Sequence, residues 1–323
     1  MLRTRLTELF GISVPIVLAP FGPWDQTRLA LEVARAGALA CLGTATRGPG
    51  ELEAQWRWLR ERTDAPFVVN HTGRPLHDEA FEATLRFRPA AISFHMGVPA
   101  ELIARARDAG IRWVQTVGDV AGAEIALTAG ADALVAQGTE SGGNAGWVST
   151  LVLVPAVVDV AGDVPVIAAG GVADGRGLAA ALALGASGVC MGTRFLATEE
   201  MSVHGAWKER IVAADAEEAV KVPHSERVMP PFTIPQVGTP FAPRALRTPL
   251  VDQLERAPDS IDPGEIGPRL LDAVRGGGGH DLLPFTGQSA QLVHDVVPAG
   301  HLVARLVTEA EQALRHAASA ISS

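Results

Sequence analysis

The chain has 323 residues, 47% of them hydrophobic and 20% charged, with a formal net charge of −9. That much apolar material supports a sizeable core and excludes a disordered chain, while the negative balance argues against a nucleic-acid or anionic-membrane surface. Its two cysteines, Cys41 and Cys190, both fall in apolar runs of strand length, so a disulfide framework is excluded and a reduced, cytoplasmic protein is expected.

Glu8 interrupts any signal-peptide core, and the longest apolar stretch, 151–169, is broken by Asp159, Asp163 and two prolines, so no membrane span is expected. From residue 14 the chain alternates between two patterns. Strands are predicted at 14–20, 38–43, 66–70, 90–95, 112–117, 133–137, 164–169 and 188–191. Helices are predicted between them at 27–36, 50–62, 77–88, 99–109, 119–129, 151–161 and 175–184, several closed by Ala-Gly or Leu-Gly. The strand runs are apolar on both faces, as parallel strands covered by helices require. Eight βα units predict an α/β fold of the closed (β/α)₈ TIM-barrel type. A doubly wound open sheet is the alternative, but no G-x-G-x-x-G follows the first strand.

Past residue 198 the pattern changes. Residues 201–218 read as helical, and 222–249 as irregular and surface-lying because prolines recur without a period. Residues 252–274 read as helix in pieces, and RGGGGHD at 275–281 as a flexible loop. Leu302, Leu306, Ala310, Ala313 and Leu314 have helical spacing and predict a final helix over 298–317. The expected organisation is a barrel at 1–198, a helical or irregular insert at 199–290 covering the active-site end, and a closing helix at 291–323.

Barrel active sites lie at the C-terminal ends of the strands. There the chain offers Ala19-Pro20-Phe21-Gly22, Asn70-His71, His95, Gln137, Gly142-Gly143-Asn144, Gly170-Gly171 and Met191-Gly192-Thr193. These ends carry no carboxylate cluster, no Ser/His/Asp order and no lysine, so glycosidase, hard-metal and Schiff-base chemistry lack their residue types. Zinc spacing is absent as well. Amide side chains, backbone amides and apolar groups remain, a set suited to a flat, hydrogen-bonding cofactor with a phosphate tail. The two late glycine-rich turns fit the phosphate site of a barrel. His95 and His71 are candidate site histidines; Arg47 and Arg74 read as solvated, and His77 as a surface residue.

The segments PIVLAP, PFVVNHTGRP, AISFHMGVP, VAQGTESGGNAG, PVIAAGGVADGRGLAAALALGASGVCMGTRFLAT and PFTGQSAQLVHDVVPAG resemble the nitronate monooxygenase (2-nitropropane dioxygenase-like) family of FMN barrels. The resemblance runs from the first strand to the last helix and is weakest between about 220 and 280. It implies FMN bound non-covalently: Asn70 and Gln137 on the flavin or ribityl chain, and Gly142, Gly171 and Cys190 to Thr193 on ribityl and phosphate. Gly143 and Gly170 lie beside them, and Ala19 to Gly22 would back the isoalloxazine. The family places a histidine, as base or substrate anchor, where this chain has Asn144. Asparagine hydrogen-bonds but takes no proton near neutral pH. The resemblance therefore implies an FMN-dependent oxidoreductase acting on a small molecule, with Asn144 and His95 as the catalytic candidates. The electron partner is O2 or NAD(P)H, and a homodimer is a candidate assembly. The alternatives are an NAD(P)H-dependent enoyl or quinone reductase, and a barrel that binds flavin or a phosphorylated ligand without redox turnover.

Overall fold

In a computed structural model of the protein, residues 2–72, 78–95, 97–229 and 242–321 are described; Arg74 and His77 lie outside them. The strands are β1 (Ile16–Leu18), β2 (Ala40–Gly43), β3 (Phe67–His71), β4 (Ala91–His95), β5 (Arg112–Val117), β6 (Ala133–Gln137), β7 (Gly143–Ala145), β8 (Val166–Ala169), β9 (Gly188–Met191), β10 (Ala219–Lys221) and β11 (Ala242–Leu246). Eight of them form one parallel sheet in the order β1-β9-β8-β6-β5-β4-β3-β2. Its two edges meet: Leu18 N donates to Leu39 O and Leu39 N to Ile16 O, both at 2.9 Å, which closes the barrel beside β2. The (β/α)₈ expectation holds.

Alternation along each strand divides the apolar residues into two layers. One set, with Leu18, Leu42, Val69 and Leu134, packs outward against the helices. The other, with Val17, Cys41, Val68, Val114 and Ile167, fills the barrel. A short helix, Arg5–Phe10, which the periodicity did not reveal, contributes Leu6 and Phe10 to this inner cluster. A Thr4/Thr7 capping box starts it and Gly11, at φ +66°, stops it. It plugs the N-terminal end of the barrel, where Thr4 Oγ1 donates to Ser187 O at 2.6 Å and Leu6 packs on Gly188. The inner space is thus open only at the other end.

The segment after the barrel departs from expectation. Within the 222–249 stretch expected to be irregular, of which 230–241 lie outside the described residues, β11 is a strand, and with β10 and β7 it forms a three-stranded antiparallel sheet over the barrel mouth. Pro243 lies in its middle strand, paired with Asn144; a proline there argues against a strand, which is why the sequence pattern hid it. The glycine-rich 275–281 segment is also tied down. His204 N donates to Gly277 O at 2.9 Å and Arg210 Nη1 to His280 O at 2.7 Å.

The final helix, Ala299–Ala318, lies against the helix Gly175–Ala183 so closely that a Cβ on Gly175 would stand 2.3 Å from Glu309 Cβ. Two carboxylates fasten it, Glu309 accepting from Gly175 N and Glu200 from Ala299 N, each at 2.9 Å. Arg194, almost wholly buried, donates to the carbonyl and carboxylate of Asp295. Among the described residues no helix is long and apolar enough to cross a membrane.

Candidate active site

The C-terminal strand ends enclose a cavity of about 1190 Å³. The loop after β1 brings Ala19, Pro20, Phe21 and Gly22 to its wall; β3, β4 and β6 bring Asn70, His95 and Gln137. Gly142, Gly143 and Asn144 come from the β7 segment, Gly170 and Gly171 from the end of β8, and Cys190, Gly192 and Thr193 from the end of β9. Met191 is the exception. Strand side chains alternate, so with Cys190 facing inward Met191 points outward into the helix-packed core; it offers the site no side chain.

The same alternation separates Asn70 from His71. Asn70 faces the cavity and donates to Ser93 Oγ at 2.9 Å. His71 is buried behind the wall, with Nε2 2.9 Å from Thr84 Oγ1 and its ring edge-on to Phe81. Thr84 gives its own proton to Ala80 O, so Nε2 is the protonated nitrogen. Burial pushes the His71 pKa down to about 3. His71 is a structural hydrogen-bonder and not a site residue.

His95 does face the cavity. Its Nε2 lies 3.0 Å from the Asn144 carbonyl, which can only accept, so Nε2 carries the proton. Burial lowers its pKa to about 4, against the opposing pull of that hydrogen bond. Near neutral pH the ring is therefore neutral and locked to the backbone of Asn144. Both histidines stay neutral in the native state and take up protons when unfolded, from an ordinary pKa of 6.5. Their contribution to stability is complete above pH 6.5 and is lost as the pH falls through that window toward 4 and 3. Each group should add about 1.4 kcal/mol per pH unit to the slope below its unfolded pKa. Urea unfolding of His71→Gln between pH 5 and 6 should show that part of the slope removed; an unchanged slope would contradict the assignment.

Four residues that line the cavity have a buried polar atom without a hydrogen-bond partner among the described residues: Trp24 Nε1, Arg47 Nε, Gln137 Oε1 and Ser141 Oγ. Leaving such atoms unpaired costs about 1–3 kcal/mol each, so they mark where a ligand's polar edge belongs. Nearby, the backbone is bare. At Gly171 (φ +72°) a Cβ would meet only Glu140, at 3.7 Å from its Cβ, and at Gly192 it would be in ordinary contact with Ala19 Cβ at 3.6 Å and Phe21 Cε1 at 3.8 Å. A phosphate can approach such backbone closely.

Ser141 and Glu140 belong to the polar, glycine-rich turn that follows β6, between Gln137 and Gly142. Glu140 accepts from Thr150 N and, at 2.7 Å, from Thr150 Oγ1, fixing the start of the helix Thr150–Ala161. Gly287 N donates to Thr193 Oγ1 at 2.9 Å, and a Cβ on Gly287 would lie 2.6 Å from Glu140 O. The TGQS run at 286–289 thus rests backbone to backbone on the turn at 140–142 and is bonded to the Thr193 side chain. Arg47, expected in solvent, is only 6% exposed. It donates to Gln55 Oε1 and Gly22 O at 2.9 Å and to Gly43 O, pinning the loops after β1 and β2 together. These loops pack so tightly that a Cβ on Gly43 would meet Gly22 Cα at 2.5 Å. Both cysteines are free thiols. Burial pushes them up, Cys190 to about 12, so neither is a nucleophile near neutral pH. Among the described residues no group of three or more His, Cys, Asp or Glu could hold a metal ion.

A closed barrel whose mouth presents amides, bare glycine backbone and unpaired polar atoms defines a cofactor-dependent enzyme of the α/β-barrel class. The nitronate monooxygenase family model matches residues 3–83 and 71–309, and the chain belongs to that family of FMN-dependent oxidoreductases. It is 40% identical over 257 residues to a Mycobacterium tuberculosis (3aS,4S,5R,7aS)-5-hydroxy-7a-methyl-1-oxo-octahydro-1H-indene-4-carboxyl-CoA dehydrogenase, covering 79% of this chain and 69% of that one. The Rhodococcus jostii enzyme of the same name is 41% identical, with 66% of this chain matched to only 60% of its length. A Pseudomonas aeruginosa nitronate monooxygenase is 32% identical over 94% of this chain and 98% of its own. Among solved structures, FabK from Thermotoga maritima superposes with a TM-score of 0.88 at 32% identity, over 99% of this chain and all of the other.

Proposed function

We propose that the protein is an FMN-dependent oxidoreductase that delivers hydride to an elongated, largely apolar α,β-unsaturated carbonyl compound, an enoyl thioester or an enone, with the accompanying proton taken from water, and that it does not begin by deprotonating its substrate. The observation that carries this reading is the pair Asn144 and His95. The first cannot take a proton, and the second is neutral with one ring nitrogen committed to Asn144 O. FMN, when bound, supplies the hydride donor or acceptor. Gln137 and Ser141 would take its polar edge, and the Gly171 and Gly192-Thr193 turns its phosphate. Asn144 would donate its side-chain amide to the substrate carbonyl oxygen, fixing the carbon that gains hydride.

The cavity, about 1190 Å³ against the roughly 300–1,000 Å³ usual for one ligand, has room for the flavin and a substrate together. Above the barrel it is walled by Val228, Met229, Leu270, Leu271, Val274 and Phe285. Such a wall takes a hydrocarbon body and excludes water. The 40% identity to the carboxyl-CoA dehydrogenase and the likeness to FabK point the same way. Nitronate oxidation is the second reading, favoured by the family and by the Pseudomonas relative; a nitronate is already deprotonated and needs no base.

The test is the visible spectrum of the anaerobic protein. NADPH or NADH should bleach the bound flavin and an enoyl thioester restore its colour, the carbon next to the carbonyl taking its proton from water. Flavin that neither nucleotide reduces, and that nitronates reduce readily, would favour the second reading.

A further inference from the structure

β7 has three residues, Gly143 to Ala145, and is held to the rest of its sheet along one side only, by β11. Its partner opposite Asn144 is Pro243, which has no N–H to offer. The Asn144 carbonyl bonds His95 instead. By its own ladder, then, this strand is poorly fastened, yet it carries Asn144 to the cavity.

Lys221 ends β10, on the far side of β11, and its side chain reaches across the sheet. Its Nζ lies 2.7 Å from Ala145 O, 2.9 Å from Gly146 O and 3.0 Å from Ala242 O. Three carbonyls around one nitrogen match the three protons of an ammonium, and Trp147 adds its ring face, 5.2 Å from Nζ. The charged groups facing Lys221 are Arg244 on β11 and Glu140 in the loop after β6.

We propose that Lys221 is a positioning residue of the active site: its ammonium, shared between β11 and the residues that follow Asn144, clamps β7 over the barrel mouth. The clamp itself follows from the hydrogen bonds; its effect on turnover rests on the reading of Asn144 given above. Arginine is a poor substitute, because a planar guanidinium cannot direct protons from one nitrogen to three carbonyls. Burial first, then Arg244, lowers the Lys221 pKa to about 7 against the pull of Glu140. The third proton is therefore lost as the pH rises through neutrality, and the clamp weakens in that direction.

The experiment is hydrogen exchange of the FMN-loaded enzyme, read at residues 143–146 as protection factors, alongside steady-state kinetics. In Lys221→Ala protection should fall about tenfold or more and kcat should drop with little change in KM or flavin content. Ammonium or ethylammonium ions should restore both, whereas tetramethylammonium, which has no N–H, should restore neither. Lys221→Met, which keeps the stem, serves if the alanine variant fails to fold. Wild-type protection at 143–146 should decline above about pH 7, and the methionine variant should lack that dependence. Unchanged protection in a folded variant, or equal rescue by tetramethylammonium, would overturn the clamp. Lost protection that ammonium restores, with turnover unaffected throughout, would instead overturn the role given to Asn144.

Discussion

Gly171→Asp is expected to yield a folded protein that purifies without FMN. Gly171 sits at φ +72°, and the direction of its absent side chain is open except for Glu140, whose Cβ would be 3.7 Å from a new Cβ. Aspartate enters the left-handed region more readily than most residues, so the turn should survive at a cost of about 1–2 kcal/mol. The charge is the larger effect. A carboxylate about 4 Å from a phosphate, at an effective dielectric constant near 20, opposes binding by roughly 4 kcal/mol per phosphate charge, about a thousandfold in Kd. Gly171→Asn carries the same backbone demand without the charge and should keep most of the flavin. The flavin-to-protein absorbance ratio decides. Stoichiometric FMN in Gly171→Asp would place the phosphate elsewhere.

Asn144 carries the second large effect. If its amide orients the substrate carbonyl, Asn144→Ala should lower kcat/KM for the native substrate by about 10²–10³, the range for loss of one donor to a developing oxyanion. Flavin content should stay near that of wild type, because Gln137, Ser141 and the glycine turns are untouched. The His95 hydrogen bond goes to the Asn144 backbone and also survives the change. Equal loss of flavin and turnover would mean that Asn144 builds the cofactor site instead of reading the substrate.

The barrel was legible because its signals are local. Apolar runs of strand length, helices closed by glycine and their regular alternation need no knowledge of distant residues, and Arg112–Val117, Ala133–Gln137 and Gly188–Met191 match the predicted bounds residue for residue. Strand-end position also brought Asn70, His95, Gln137, Asn144 and the glycine turns to one cavity. What stayed hidden depends on contacts far apart in sequence. β11 contains a proline, and its paired residues lie 23–27 positions earlier in β10 and 97–101 earlier in β7. Arg47 looked solvated because nothing local shows that Gly22 and Gly43 pack together beneath it. His71 and Met191 sat at strand ends but on the outward face; counting alternation from Asn70 and Cys190 would have excluded both.

The central claim, that neither Asn144 nor His95 serves as a base for substrate deprotonation, is tested most directly by the anaerobic rate of flavin reduction by neutral nitroethane and by its nitronate, in wild type and in Asn144→His. A positioned base contributes about 10²–10⁴-fold. The wild type should be reduced slowly by neutral nitroethane, Asn144→His should gain at least about 10²-fold on it, and the nitronate rate should change little between the two proteins. Rapid reduction of the wild type by neutral nitroethane, unaltered by replacing Asn144, would contradict it.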